Sequence, residues 1–177
     1  VFGVPEESVN DEMRKRAKAV NFGIVYGISG FSLARDIGTT AKEANQYIKN
    51  YLMNYPRIDS YLERVVEEAK ANGYTETIMG RRRYIPDLKS GKAVLRKFGE
   101  RVAMNSPIQG TAADIIKLAM INVDRRIASE GLQSRMILQI HDELLFDSIP
   151  SEVDALMKIV KEEMENVIKL SVPLTVE

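Results

Sequence analysis

An apolar repeat of helical period, cut at short intervals by glycine and proline, makes residues 10–71 a series of short helices. Met13, Ala17, Val20 and Ile24 fall on one helical face and predict a helix over residues 10–26. Pro5 and Ser8 can start it, with Asp11 three residues after Ser8 in the manner of a capping box. Gly27 and Gly30 end it, and a short helix over 32–37 stops at Gly38. Thr39 and Thr40 cap the next, which runs to about residue 55, where Pro56 breaks the pattern. Residues 58–71 read as helical again until Asn72-Gly73.

The period then changes. Residues 74–79 alternate as a short strand, and Gly80 turns the chain into Arg81-Arg82-Arg83-Tyr84-Ile85-Pro86. Residues 93–129 are mostly helical, with expected interruptions at Ser106-Pro107 and Gly110. Residues 134–140 and 143–148 are predicted strands flanking His141-Asp142. Ser151 and Asp154 cap a last amphipathic helix over 152–170, and Val172–Val176 alternates like a strand cut short. No internal repeat is present. The pattern predicts an α-rich α+β fold, helices first and a small antiparallel sheet with one packed helix last.

Composition excludes several classes. The 177 residues contain no cysteine and one histidine, His141, so neither a disulfide framework nor a zinc site is expected. The longest apolar runs are a few residues, too short to span a bilayer, so no membrane partner is expected. The 25 basic and 25 acidic residues cancel, which would argue against a nucleic-acid binder if they were evenly spread. They are segregated. Residues 14–18 hold four bases and no acid, residues 80–101 eight bases and two acids, and residues 142–177 three bases and nine acids.

The first basic block carries a second stripe. Arg14, Lys18, Phe22 and Tyr26 stand at i, i+4, i+8 and i+12, near one helical face and over ~18 Å. Asp11 and Glu12 can pair with Lys15 and Arg16 at i+4. Arg14 and Lys18 instead repel one another near the helix N-terminus, where the dipole also disfavours positive charge. An anion such as a phosphate would offset that cost. Phe22 and Tyr26 continue the stripe with flat surfaces suited to stacking a base. The alternative from spacing is a solvated basic turn followed by two aromatics packed in the core.

Taken with the other motifs, Arg14-x3-Lys18-x3-Phe22-Gly23-x2-Tyr26-Gly27 resembles the nucleotide-binding helix of family A DNA polymerases, the DNA polymerase I group. Thr77 through Pro86 resembles the family's basic hairpin. Glu100-Arg101 through Asn105, then Pro107-Ile108-Gln109-Gly110-Thr111-Ala112-Ala113-Asp114, resembles its long helix facing the primer–template. Gln139-Ile140-His141-Asp142-Glu143-Leu144 resembles its catalytic carboxylate turn. The four stand in the family's order at similar intervals, over essentially the whole chain.

The resemblance implies that Arg14 and Lys18 hold the incoming triphosphate, Phe22 stacks on the nucleotide and Tyr26 gates the templating base. Phenylalanine at position 22 resembles members that discriminate against dideoxynucleotides. Asp142 would be the Mg²⁺ ligand of a two-metal mechanism, with Glu143 supporting and His141 near the primer terminus. A polar hairpin turn is the bland reading of His141-Asp142-Glu143. Arg101, Asn105 and Gln109, at i, i+4 and i+8, offer donors to the minor-groove acceptors that all correct pairs share. Local backbone capping around Ser106-Pro107 is the alternative for the two amides. Arg81, Arg82, Arg83, Lys89, Lys92, Arg96 and Lys97 suit phosphate-backbone contact without sequence preference.

The implied partners are primer–template DNA, a dNTP and the missing upstream part of the same polymerase. The implied setting is DNA replication and repair in a bacterial-type cytoplasm, with phage and organelle origins open. The family's strand motif Asp-Tyr-Ser-x-x-Glu-x-Arg, which carries a second catalytic aspartate, does not occur here. The stretch from Ile58 to Arg64 has a superficial likeness but the wrong spacing. The chain therefore reads as fingers over residues 1–130 and the C-terminal part of a palm over 131–177, inactive alone. A non-catalytic nucleic-acid-binding module with a polymerase-like fold is the alternative. A histidine-rich metal phosphohydrolase is set aside, because the chain has a single histidine.

Overall fold

The computed structural model describes residues 4–176. It is an α+β chain of six α-helices and two two-stranded antiparallel sheets among the described residues. Two compact units divide at Gly110/Thr111, within a long helix.

In the first unit, α1 spans Asp11–Val25 and is capped by Asn10, whose side chain accepts from the Met13 N–H at 2.8 Å. Asn10, not Ser8, is thus the cap, and Glu6–Ser8 form a short 3-10 turn instead. The α2 helix spans Gly30–Ile37 and α3 spans Ala41–Asn54. Thr40 caps α3 in a full capping box, accepting from the Glu43 N–H and donating its own N–H to the Glu43 carboxylate, each at 3.2 Å. Pro56 starts α4, Pro56–Asn72, rather than preceding it, because the first helical position needs no N–H donor.

Val20 and Ile24 of α1, Leu33 and Ile37 of α2, Tyr51 of α3 and Leu62 of α4 close one core. Met13 and Ala17 complete the α1 stripe only in part, being half-buried. A second core joins Val66 and Ala69 of α4 to Ile85, Leu88 and Ala103.

Strands β1 (Tyr74–Glu76) and β2 (Arg82–Tyr84) pair in antiparallel register, Tyr74 opposite Tyr84 and Glu76 opposite Arg82. The first is shorter than the sequence suggests. The Thr77 hydroxyl accepts from the N–H groups of Met79 and Arg81 and so begins the turn.

The α5 helix spans Ala93–Ser129 without the expected breaks at Ser106-Pro107 and Gly110. Pro107 removes one N–H but is buried in the continuous helix, and the Ser106 hydroxyl donates back to the Val102 carbonyl at 2.6 Å.

The second unit contains the end of α5, the hairpin β3 (Arg135–Ile140) and β4 (Glu143–Asp147), and α6 (Val153–Glu165). Val123 and Ile127 pack with Leu156 and Ile159 of α6, and Met136 and Phe146 lie against them. A bulge between Met136 and Leu138 re-aims β3.

Neither Ser151 nor Asp154 caps α6. Glu152 stands at the cap position, but its carboxylate turns to the N–H groups of Gln133 and Ser134. The α6 helix ends at Asn166, before the expected residue 170, and there the Asn166 side-chain amide also donates to the Glu162 carbonyl at 2.8 Å. Val172–Val176 forms no strand, and the Val176 N–H donates to Glu165 at 3.0 Å. No helix of the described residues is long and apolar enough to cross a membrane.

Candidate functional site

The outer face of α1 matches the stripe read from the sequence. Burying Val20, Gly23 and Ile24 turns Arg14, Lys18, Phe22 and Tyr26 outward. Arg16 pairs with Glu12 at 3.1 Å. Lys15 makes no ion pair with Asp11, and Arg14 and Lys18 have no ion-pair partner among the described residues. Phe22 is 51% exposed and Tyr26 41%. The core-packed alternative for these rings therefore does not hold. They stack on each other, centroids 6.3 Å apart and planes inclined by 22°. At this exposure each ring forgoes part of the roughly 1.5–3 kcal/mol that full burial of a phenylalanine contributes.

The two rings border a cleft of about 500 Å³ that also takes in Ser29, Ser32, Asp36 and Arg101. Backbone geometry sets its shape. Gly27 lies at φ +66°, and a Cβ there would come within 3.0 Å of the Arg101 side chain and 3.1 Å of the Met104 sulfur. Glycine thus lets the chain leave α1 in a left-handed turn while α5 approaches closely. The approach brings Arg101 of α5 to the ring pair of α1, which the sequence places far apart.

Asn105 and Gln109 follow on α5, half-buried and exposed respectively. Their amides have no protein partner among the described residues, and the local bond near Pro107 comes from Ser106 instead. The capping alternative for these residues therefore fails.

The basic hairpin differentiates its arginines. Arg82 pairs with Glu76 and lies over the Tyr74 ring at 4.5 Å, and the Glu76 carboxylate holds its pKa above the ordinary value. Tyr74 meets Tyr84 edge-on at 5.5 Å, and Tyr84 is 70% exposed. Arg81 donates to the Gly110 carbonyl at 2.9 Å. Arg96 bonds the carbonyls of Ser90 and Gly91 and serves the loop before α5. The tyrosines were missed in the sequence. Their signal was the alternation that sets residues 74 and 84 across from each other.

In the second unit, His141 and Asp142 form the two-residue turn between Ile140 and Glu143. His141 has φ +56°, an uncommon conformation for a residue with a side chain that costs about 1–2 kcal/mol. Its carbonyl accepts from the Gln139 side-chain amide at 2.7 Å. His141, Asp142 and Glu143 are all exposed.

The hairpin is tied at its open end, away from the turn. Glu152 accepts from the N–H of Ser134 at 2.9 Å and from its hydroxyl at 2.6 Å, and the Ser134 hydroxyl accepts from the Ile149 N–H. Those donors keep the Glu152 pKa below its ordinary value, the Ser134 hydroxyl foremost. Arg126 ties α5 to α6 through Glu130, Glu162 and Glu163, which raise its pKa.

No three His, Asp or Glu side chains among the described residues gather to hold a metal. Asp142 alone fits as one hard oxygen ligand on a constrained turn. The outward face of the hairpin leaves Leu138 52% and Ile140 43% exposed.

Comparison with known proteins gives the family. A family model described as DNA polymerase family A matches residues 1–177. DNA polymerase I of Caldicellulosiruptor bescii is 53% identical over the whole of this chain, which covers 21% of that protein. DNA polymerase I of Bacillus subtilis is 49% identical, again over the whole chain and 20% of that protein. The solved POL domain of Pol1 from M. smegmatis, in complex with DNA primer-template and dNTP, superposes with a TM-score of 0.94 at 46% identity, covering 98% of this chain and 30% of that one. The chain spans about a fifth of the length of the curated relatives it matches.

Proposed function

Because the chain belongs to DNA polymerase family A, we propose that it serves template-directed DNA synthesis, as the fingers (residues 1–130) and C-terminal palm (residues 131–177) of a longer polymerase. The observation that carries this reading is the α1 face, where two unpaired cations run into two exposed stacked rings.

In the proposed reaction the primer 3′-oxygen attacks the α-phosphorus of a dNTP, a new phosphodiester bond forms, and pyrophosphate leaves. Phosphoryl transfer needs positioning and charge stabilisation more than covalent help. Arg14 and Lys18 neutralise the triphosphate, and Lys18 lies one helical turn nearer the rings. Phe22 stacks on the base and sugar, and Tyr26 occupies or clears the templating position. Closing α1 over a fitting pair assembles the site, which is induced-fit discrimination.

Arg101, Asn105 and Gln109 present donors to minor-groove acceptors that do not distinguish one correct pair from another, so the duplex is checked without sequence preference. The strand cations of the hairpin contact backbone phosphate. Asp142 would hold Mg²⁺, with Glu143 supporting it and His141 beside the primer end. Bound there, the ion supplies charge stabilisation at the reacting oxygens. The exposed Leu138 and Ile140 suit coverage by the upstream part of the same polymerase. A bacterial-type cytoplasmic setting follows from the relatives' sources.

Primer extension tests the reading. The 177 residues alone are expected to extend no primer, because one carboxylate cannot organise both metal positions. The chain joined to the palm segment bearing the upstream aspartate motif is expected to extend one. Templated extension by the isolated chain would sink the account of its incompleteness, and none by the joined protein would sink the polymerase reading.

A further inference from the structure

Gly110 lies where α5 meets the turn of the basic hairpin. A Cβ built there would stand 2.6 Å from the Thr77 methyl and 3.4 Å from the Arg81 guanidinium. The first distance is one that real side chains do not adopt, so the methyl occupies a notch that only glycine provides. The methyl is not free to swing away. The Thr77 hydroxyl accepts from the Met79 N–H at 3.3 Å and the Arg81 N–H at 3.2 Å, and Thr77 is buried. Arg81 then donates to the carbonyl of the same glycine at 2.9 Å.

The helix is weak at this point. Pro107 removes a backbone donor three residues earlier, and glycine in a helix interior is less stable than alanine. Residues 107–110 are therefore where the course of α5 has to be set by something outside the helix. Gln109, with its unpartnered amide, sits immediately beside the contact.

We propose that Thr77, Arg81 and Gly110 form a positioning latch that seats the basic hairpin on α5 and fixes the Asn105–Gln109 face relative to it. The two surfaces then address one primer–template in a single register. Arg81 is a positioning residue in this arrangement, whereas Arg82 and Arg83 remain on the strand. The latch rests on the polymerase reading above.

The test uses the polymerase with its upstream palm present. Wild type, Thr77→Ser, Gly110→Ala, Thr77→Ser/Gly110→Ala and Arg81→Ala are compared in single-turnover extension of matched and mispaired primers. Melting temperature and the salt dependence of DNA binding are measured for each. Gly110→Ala is expected to slow matched extension by about tenfold, the range set by an unrelieved core clash, and to narrow the matched-to-mispaired ratio.

Serine keeps the hydroxyl that holds the turn and loses the methyl. Thr77→Ser alone should therefore stay within about twofold of wild type, and the double variant should recover to within about threefold. Arg81→Ala should slow extension with an unchanged log–log salt slope, whereas loss of a phosphate contact lowers the slope by about 1.

Wild-type rates for Gly110→Ala, no recovery in the double variant, or a reduced slope for Arg81→Ala would overturn the latch. If Gly110→Ala fails to fold, Arg81→Ala and the double variant decide by the same criteria. A wild-type protein that extends no primer would overturn the polymerase reading instead.

Discussion

Phe22 and Tyr26 stack on the open face of α1 with centroids 6.3 Å apart, one helical turn beyond Lys18. That relationship joins a flat apolar surface to a cation on one rigid element, as recognition of a nucleotide requires. It also separates the roles of the residues, which can be tested one by one in the polymerase containing this chain.

Lys18→Ala should raise the KM for dNTP by roughly 10–100-fold, the loss expected for a charge-assisted hydrogen bond of about 1.5–3 kcal/mol. Affinity for primer–template should change far less. Filter binding and steady-state kinetics on one preparation measure both, and an equal loss of the two would contradict the triphosphate role.

Phe22→Tyr should leave dNTP use nearly unchanged while raising dideoxynucleotide use by about tenfold, since the added hydroxyl stands in for the missing 3′-OH. The ratio of chain termination to extension on a gel reads this directly. An unchanged ratio would remove Phe22 from the sugar.

Asp142→Asn should abolish extension without lowering the melting temperature, because the side chain is exposed and forms no hydrogen bond or ion pair among the described residues. Glu143→Gln should cost less. If Asp142→Asn extends primers at near wild-type rate, the turn is only a polar hairpin.

Glu152→Gln should destabilise the second unit in a pH-dependent way. The Glu152 carboxyl has a folded pKa held below its ordinary 4.5 by the Ser134 hydroxyl and the N–H groups of Gln133 and Ser134. A depressed acid contributes stability above its unfolded pKa and loses it as pH falls through the folded value. The melting-temperature gap between wild type and variant should therefore be full at pH 7 and shrink once pH drops below 4.5, vanishing as it falls through the folded value. A gap that persists in acid would mean the contact is neutral packing.

Much of this protein was legible from its residues alone. Helical period and the placement of Gly38, Pro56 and Gly73 are local signals, because the backbone reads them within a turn or two, and they located the helices closely. The four chemical motifs also lie along the chain, so order and spacing were enough to indicate the family.

The tertiary structure decided what covers what. Whether Phe22 and Tyr26 were core or surface depended on which other helices bury the opposite face of α1, which no local pattern records. The α5 helix runs unbroken past Pro107 and Gly110, where Pro107 is buried and a hairpin distant in sequence brings Thr77 and Arg81 to Gly110. The alternation of Val172–Val176 did not make a strand, because a strand needs a partner and sequence periodicity supplies only one side of the ladder. Local propensity acts between neighbours in the chain, whereas exposure and pairing are set by residues the fold brings together.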